Sequence, residues 1–151
     1  MKRFFSKIGA LFMVTIVIMA FAPADGLVKK SKYKAYFGCT YTDSMQLSVN
    51  EFKQLIQKPL CVKDSAGNLI KVESFEIMYA ERGLYQDDEG LPIIVTDYSN
   101  VVCKGDTIPK KWIQNFNERS YKGDTIFFDR VRMHTPENKL VECRTVKVVL
   151  K

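Results

Sequence analysis

The sequence predicts a mainly β domain, mixed but predominantly antiparallel, with two short helices covering the ends of its sheets. Three observations carry this. The closing segment LVECRTVKVVLK places Val146, Val148 and Leu150 on one face, as a half-buried strand does. Two clusters of turn-forming residues, DSAGN at 64–68 and HTPEN at 134–138, each separate two apolar runs, the pattern of a hairpin. Apolar residues recur at helical spacing in two short stretches, Val49, Phe52, Leu55 and Ile56, then Trp112, Ile113 and Phe116.

In chain order, residues 1–24 stand apart from the fold as a signal peptide. Lys2, Arg3 and Lys7 form a basic start, residues 10–22 are apolar and uncharged, and Ala22-Pro23-Ala24 offers small residues for cleavage. The apolar stretch is shorter than the roughly 20 residues a membrane span needs, so cleavage after Ala24 is expected, with no span remaining. Residues 25–45 form a lead-in segment holding a short strand, YKAYFGCTY at 33–41, bent at Gly38.

The domain proper covers residues 46–151. Ser48 with Glu51 three positions later reads as a capping box opening the first helix, which Pro59 ends. Residues 60–63, the turn at 64–68 and a strand from Leu69 to about Tyr79 make a hairpin. RGLYQDDEG at 82–90, with two glycines and three successive acids, reads as a long loop flanked by strands. Thr107 is expected to cap the second helix, with Pro109 in its first turn. Ile126, Phe128 and Val131 begin the next strand, and after the turn at 134–138 a last strand runs over 140–150. Phe75 and Trp112 are expected in the core. The order helix, strand, polar turn, long strand thus occurs twice, as in a sandwich with internal pseudo-symmetry.

Charge and cysteine content narrow the function. The formal charge of +6 includes the three leader cations, so the mature chain carries +3. Its basic residues do not cluster in a recognisable nucleic-acid module; the one dense run, KKSKYK at 29–34, reads as a solvated segment, and nucleic acid is not an expected partner. Cys39, Cys61, Cys103 and Cys143 are widely spaced with no C-x-x-C, which argues against a zinc ribbon or a thioredoxin-like site. In an oxidising compartment up to two disulfides form, and three connectivities fit. Cys143, set among strand residues, reads as a buried small hydrophobe.

Each residue that might carry chemistry has a plainer role. His134, the single histidine, lies in a turn, and a metal needs three or four convergent ligands. Asp87, Asp88 and Glu89 lack the alternate spacing and sixth-position glycine of a calcium loop. The pentapeptide KGDTI occurs at 104–108 and again at 122–126, yet neither copy continues as a phosphate-wrapping loop, so Lys104 and Lys122 read as parts of Gly-Asp turns. No catalytic, cofactor-binding or metal-binding residue is assigned, and no cofactor is expected. The competing reading is a small periplasmic enzyme whose site is assembled from scattered residues, such as His134 with a carboxylate.

The order of segments carries a resemblance. MQLSVNEFKQLIQKPLCVKDSAGNLIKVESFEIMY, then YSN, then IPKKWIQNFNERSYKGDTIFFDRVRM and KLVECRTVKVVLK resemble the C-terminal domain of the gliding-motility protein GldM over residues 46–151. Val72, Ser74 and Phe75 match the family's Val-x-Ser-Phe strand, and Gly123, Asp124, Ile126, Phe128 and Val131 its Gly-Asp turn and apolar strand. The resemblance implies an immunoglobulin-like antiparallel sandwich on the periplasmic side of a Bacteroidetes-type envelope. It also implies a non-enzymatic role in protein–protein interaction, in the setting of gliding and type IX secretion, where full-length members dimerise. This chain carries no long periplasmic array before the domain and no acidic residue in its leader, so a direct motor role is not expected. The expected partner is another envelope protein or a second copy of the chain. The expected location is periplasmic or secreted, with contact through the edge strands or through residues 82–100.

Overall fold

A computed structural model describes residues 32–151. The signal peptide and its cleavage site lie outside the described residues. The chain forms a small sheet and a large one, and their inner faces share one core with two helices. The small sheet has the order β1-β3-β4, from β1 (Lys34–Tyr36), β3 (Cys61–Lys63) and β4 (Leu69–Ile70). The large sheet runs β2-β9-β7-β5-β6, with β8 also paired to β7. Its strands are β2 (Ser44–Leu47), β5 (Val72–Gln86), β6 (Pro92–Lys104), β7 (Thr125–His134), β8 (Leu140–Glu142) and β9 (Val146–Leu150). Every pairing is antiparallel except β2 with β9. The expected mainly β sandwich with two short helices is therefore found.

The lead-in strand bends as expected. Gly38 takes φ +56° and Phe37 bridges back to Tyr41. Tyr33, Ala35 and Phe37 of this segment are buried in the common core. Helix α1 (Val49–Leu55) starts at Ser48, whose hydroxyl accepts from Glu51 N at 3.2 Å. Only half of the capping box closes, because the Glu51 carboxylate accepts from the Tyr41 hydroxyl at 2.8 Å. Helix α2 (Lys110–Arg119) differs from expectation at its start: Pro109 is the cap residue and no side chain bonds the first turn, so Thr107 is not the cap.

Two strands expected to be continuous are each interrupted. The run from Leu69 divides at Lys71, where the chain leaves the small sheet for the large one. The run from Leu140 divides at 143–145, where the chain passes from pairing β7 at one end to pairing it at the other. Both halves of the chain share this break. They differ in that β3 belongs to the small sheet and β7 to the large one.

Core packing explains an irregular apolar pattern in β7. Ile126 and Phe128 are buried, then Val131 and Met133, a switch of parity within one strand. Arg130 adopts φ +46° and the register against β5 shifts beside it. The bulge absorbs one residue and returns the second pair to the core face. Phe128 then stacks on Phe37 at 4.7 Å, joining the large sheet to the lead-in segment. Phe116 meets Phe52 at 5.6 Å and Tyr79 at 5.2 Å, fixing both helices on the large sheet. Phe75 is buried as expected, whereas Trp112 is only partly buried, against Phe116 at 5.7 Å.

Cys39 and Cys61 form a disulfide with Cα atoms 4.9 Å apart, and Cys103 and Cys143 are buried thiols. The disulfide is compatible with an extracytoplasmic, oxidising compartment. Among the described residues no helix is long and apolar enough to cross a membrane.

Candidate functional site

The stretch expected to be a long loop is the largest hairpin in the molecule. Strands β5 and β6 pair without a break from Ser74↔Lys104 to Gln86↔Pro92. The turn explains why. Asp87 Oδ1 accepts from Glu89 N at 3.0 Å and Leu91 N at 2.8 Å, Gly90 N donates to Asp87 O at 3.0 Å, and Gly90 takes φ +80°. The turn at 64–68 is built alike: Asp64 Oδ1 accepts from Ala66 N and Asn68 N, and Gly67 takes φ +88°. A third occurs at 135–139, where Thr135 accepts from Lys139 N and Asn138 takes φ +58°. The shared signature is an Asp or Thr, two residues, then Gly or Asn in the left-handed region. It was present in DDEG; the run of acids obscured it.

The hairpin outruns the sheet. β5 pairs with β7 only as far as Ala80, so residues 81–97 project as a two-stranded arm. Its root is clamped. The Asp124 carboxylate, fully buried, accepts from the Tyr79 hydroxyl at 2.6 Å, Tyr121 N at 2.7 Å and Arg82 N at 2.8 Å. Burial, with Asp124 next, pushes the Tyr79 hydroxyl well above the ordinary tyrosine range. Arg119 of α2 reaches Glu81 through Nε at 3.3 Å and Nη2 at 2.5 Å. Along the arm the Tyr85 ring lies over Gly83, and its hydroxyl donates to Asp97 at 3.1 Å.

The arm and its outer strand are apolar and exposed. Leu84 is 75% exposed, Ile94 61%, Tyr98 69% and Val102 66%, and Tyr85, Leu91, Ile93 and Val95 are exposed as well. Strand β6 is an end strand of its sheet. Asp87 N donates to Leu91 O at one end of the hairpin and Gly105 N to Glu73 O at the other, so the odd-numbered residues of β6 bond β5. The even-numbered ones, Ile94, Thr96, Tyr98, Asn100 and Val102, therefore turn their backbone N–H and C=O outward. Pro92 and Lys104 sit at the two ends of this row, residues that blunt an edge, and the stretch between them is left open.

The other candidate residues are placed as follows. His134 Nδ1 lies 3.4 Å from Glu73 Oε2 with Lys71 beside them, both partners about half exposed on an open surface. The two free thiols are buried, and burial raises both to about 11, which disfavours the thiolate. Among the described residues no group of three or more His, Cys, Asp or Glu converges to hold a metal. Asp87, Asp88 and Glu89 form the arm's turn. The two KGDTI copies are turns with Gly105 at φ +79° and Gly123 at φ +98°. Their glycine amides, which a phosphate would need, donate instead to Glu73 O at 2.7 Å and Leu150 O at 2.8 Å. The copies diverge at the aspartate, since Asp106 is exposed and Asp124 buried. Sequence reasoning missed that second role; the nearest signal was a Gly-Asp leading directly into an alternating apolar strand.

No family model matches the chain, and a search of curated proteins finds none that matches it.

Proposed function

We propose that the protein is an exported, non-enzymatic protein-interaction domain of the bacterial envelope, acting through the β6 edge and its arm. One observation supports this above the others: Ile93, Ile94, Val95, Tyr98 and Val102 are exposed apolar side chains on a single end strand whose outward backbone groups have no partner among the described residues. Water-exposed apolar surface of this kind marks interaction sites, and an open edge binds by adding a strand. The Cys39–Cys61 disulfide supports an envelope or secreted location. The segment order shared with the C-terminal domain of GldM over residues 46–151 supports membership of that gliding and type IX secretion family.

A photo-crosslinking amino acid in place of Tyr98, in the native cell, tests the reading. Covalent adducts to envelope protein are expected there, and not from the same group at Leu69, an exposed apolar residue of the small sheet. Equal labelling from both positions, or none from Tyr98, would overturn it.

A further inference from the structure

The partner of the β6 edge is open in the reading above, and the sequence of the strand itself constrains it. Read outward from Tyr98, β6 is palindromic in polarity: Asp97 and Ser99, Thr96 and Asn100, Val95 and Val101, Ile94 and Val102, Ile93 and Cys103. An antiparallel strand pairs residues symmetrically about a point, so such a strand matches a second copy of itself. We infer that two copies of this chain pair β6 to β6 about a two-fold axis at Tyr98, joining their large sheets into one.

Geometry agrees with this choice of centre. Tyr98 belongs to the row whose backbone faces outward, so Tyr98 and its mate form a hydrogen-bonded pair. A two-fold axis normal to the sheet keeps both core faces on one side. Neighbouring centres are worse. At Asp97 two carboxylates stand directly opposed, at Thr96 Val95 meets Asp97 and Ile93 meets Ser99, and at Ser99 Asp97 meets Val101. Of these centres only Tyr98 sets apolar against apolar and polar against polar from Ile93 to Cys103; beyond them Pro92 meets Lys104 at the two ends.

The pairing also accounts for the arm. Residues 92–97 lie where β7 no longer backs the hairpin, while Val101 and Cys103 lie over the core. Self-pairing about Tyr98 brings the projecting half of each β6 beside the core-backed half of the other. Ile93 and Val95, exposed in one copy, then come beside Cys103 and Val101 of its mate.

This inference rests on the proposal that the β6 edge is an interaction site, and the two can fail separately. Sedimentation velocity of the purified protein over a wide concentration range is expected to show a monomer–dimer equilibrium. Thr96→Pro removes one outward N–H and leaves the β5 ladder intact, and it should abolish the dimer while the far-UV spectrum is retained. Register is read by mixing Asp97→Cys protein with Ser99→Cys protein. These positions face each other as a non-hydrogen-bonded pair with Cα atoms about 4.5 Å apart, within disulfide reach, so the mixture should crosslink under mild oxidation while neither variant alone does. A monomer at every concentration overturns the second-copy inference. So does a dimer that survives Thr96→Pro without the mixed crosslink. A monomer that still gives Tyr98 adducts of other mass in the cell would leave the edge as an interaction site for a different protein.

Discussion

At the residue scale the informative comparison is between two aspartates in identical pentapeptides. Asp106 is exposed, and its main-chain carbonyl accepts from Leu60 N at 2.7 Å. Asp124 is buried and binds three donors with its carboxylate. Removing a carboxylate that satisfies buried donors costs about 1–3 kcal/mol for each donor left unpaired, so Asp124→Ala should destabilise by about 3 kcal/mol or more. Asp106→Ala should change stability by less than about 0.5 kcal/mol. Urea unfolding of the two variants side by side measures the difference. Similar midpoints would mean that Asp124 does not clamp the arm.

At the element scale, the small sheet is too short to stand by itself. Its strands contain three, three and two residues, and they are held by the core and by a covalent link. Cys39 and Cys61 close a 22-residue separation that includes β2 and all of α1. A cross-link over that distance constrains the unfolded chain by about 3 kcal/mol. Replacing both cysteines with Ser should lower stability by roughly that amount, read as a fall in the denaturation midpoint with the slope little changed. An unchanged midpoint would show that the lead-in strand is held by Ala35 and Phe37 in the core without help from the bond.

At the scale of the whole molecule, burial is uneven. The core of the large sheet is flanked by helices and the small sheet, while the arm at 81–97 has only its own two strands. Regions with few buried contacts open locally at low free energy. In hydrogen exchange on dilute protein, the amides of Thr96, Tyr98 and Asn100 should exchange fast, while those of Ile77 and Phe128 persist to global unfolding. Ser99 and Val101, bonded to β5, should be slower than their even-numbered neighbours. Raising the protein concentration should slow the even-numbered set selectively if β6 pairs with its own copy. Uniform protection along β6 in the dilute protein would contradict an open edge.

Much of this architecture was legible from local chemistry. Val146, Val148 and Leu150 face the core because a strand alternates, Ser48 starts α1 because its hydroxyl accepts a first-turn amide, and Gly38, Gly105 and Gly123 sit where the backbone is left-handed. These follow from interactions a few residues apart. Other features required the fold. Which cysteines pair depends on β1 lying beside β3, and the sequence was compatible with three connectivities. The break at Lys71 depends on two sheets competing for one strand, and the β7 bulge on the core beneath it. The arm was hidden because the glycines and successive acids of residues 82–90 read as a loop, and because its apolar residues, Leu84, Ile93, Ile94 and Val95, are of a type that usually fills a core. The spacing of apolar residues and the placing of turn residues along the chain determined by themselves that it would be β-rich with two small helices. Tertiary structure decided which apolar residues were left in water, because exposure depends on where β7 stops and no residue of the arm encodes that.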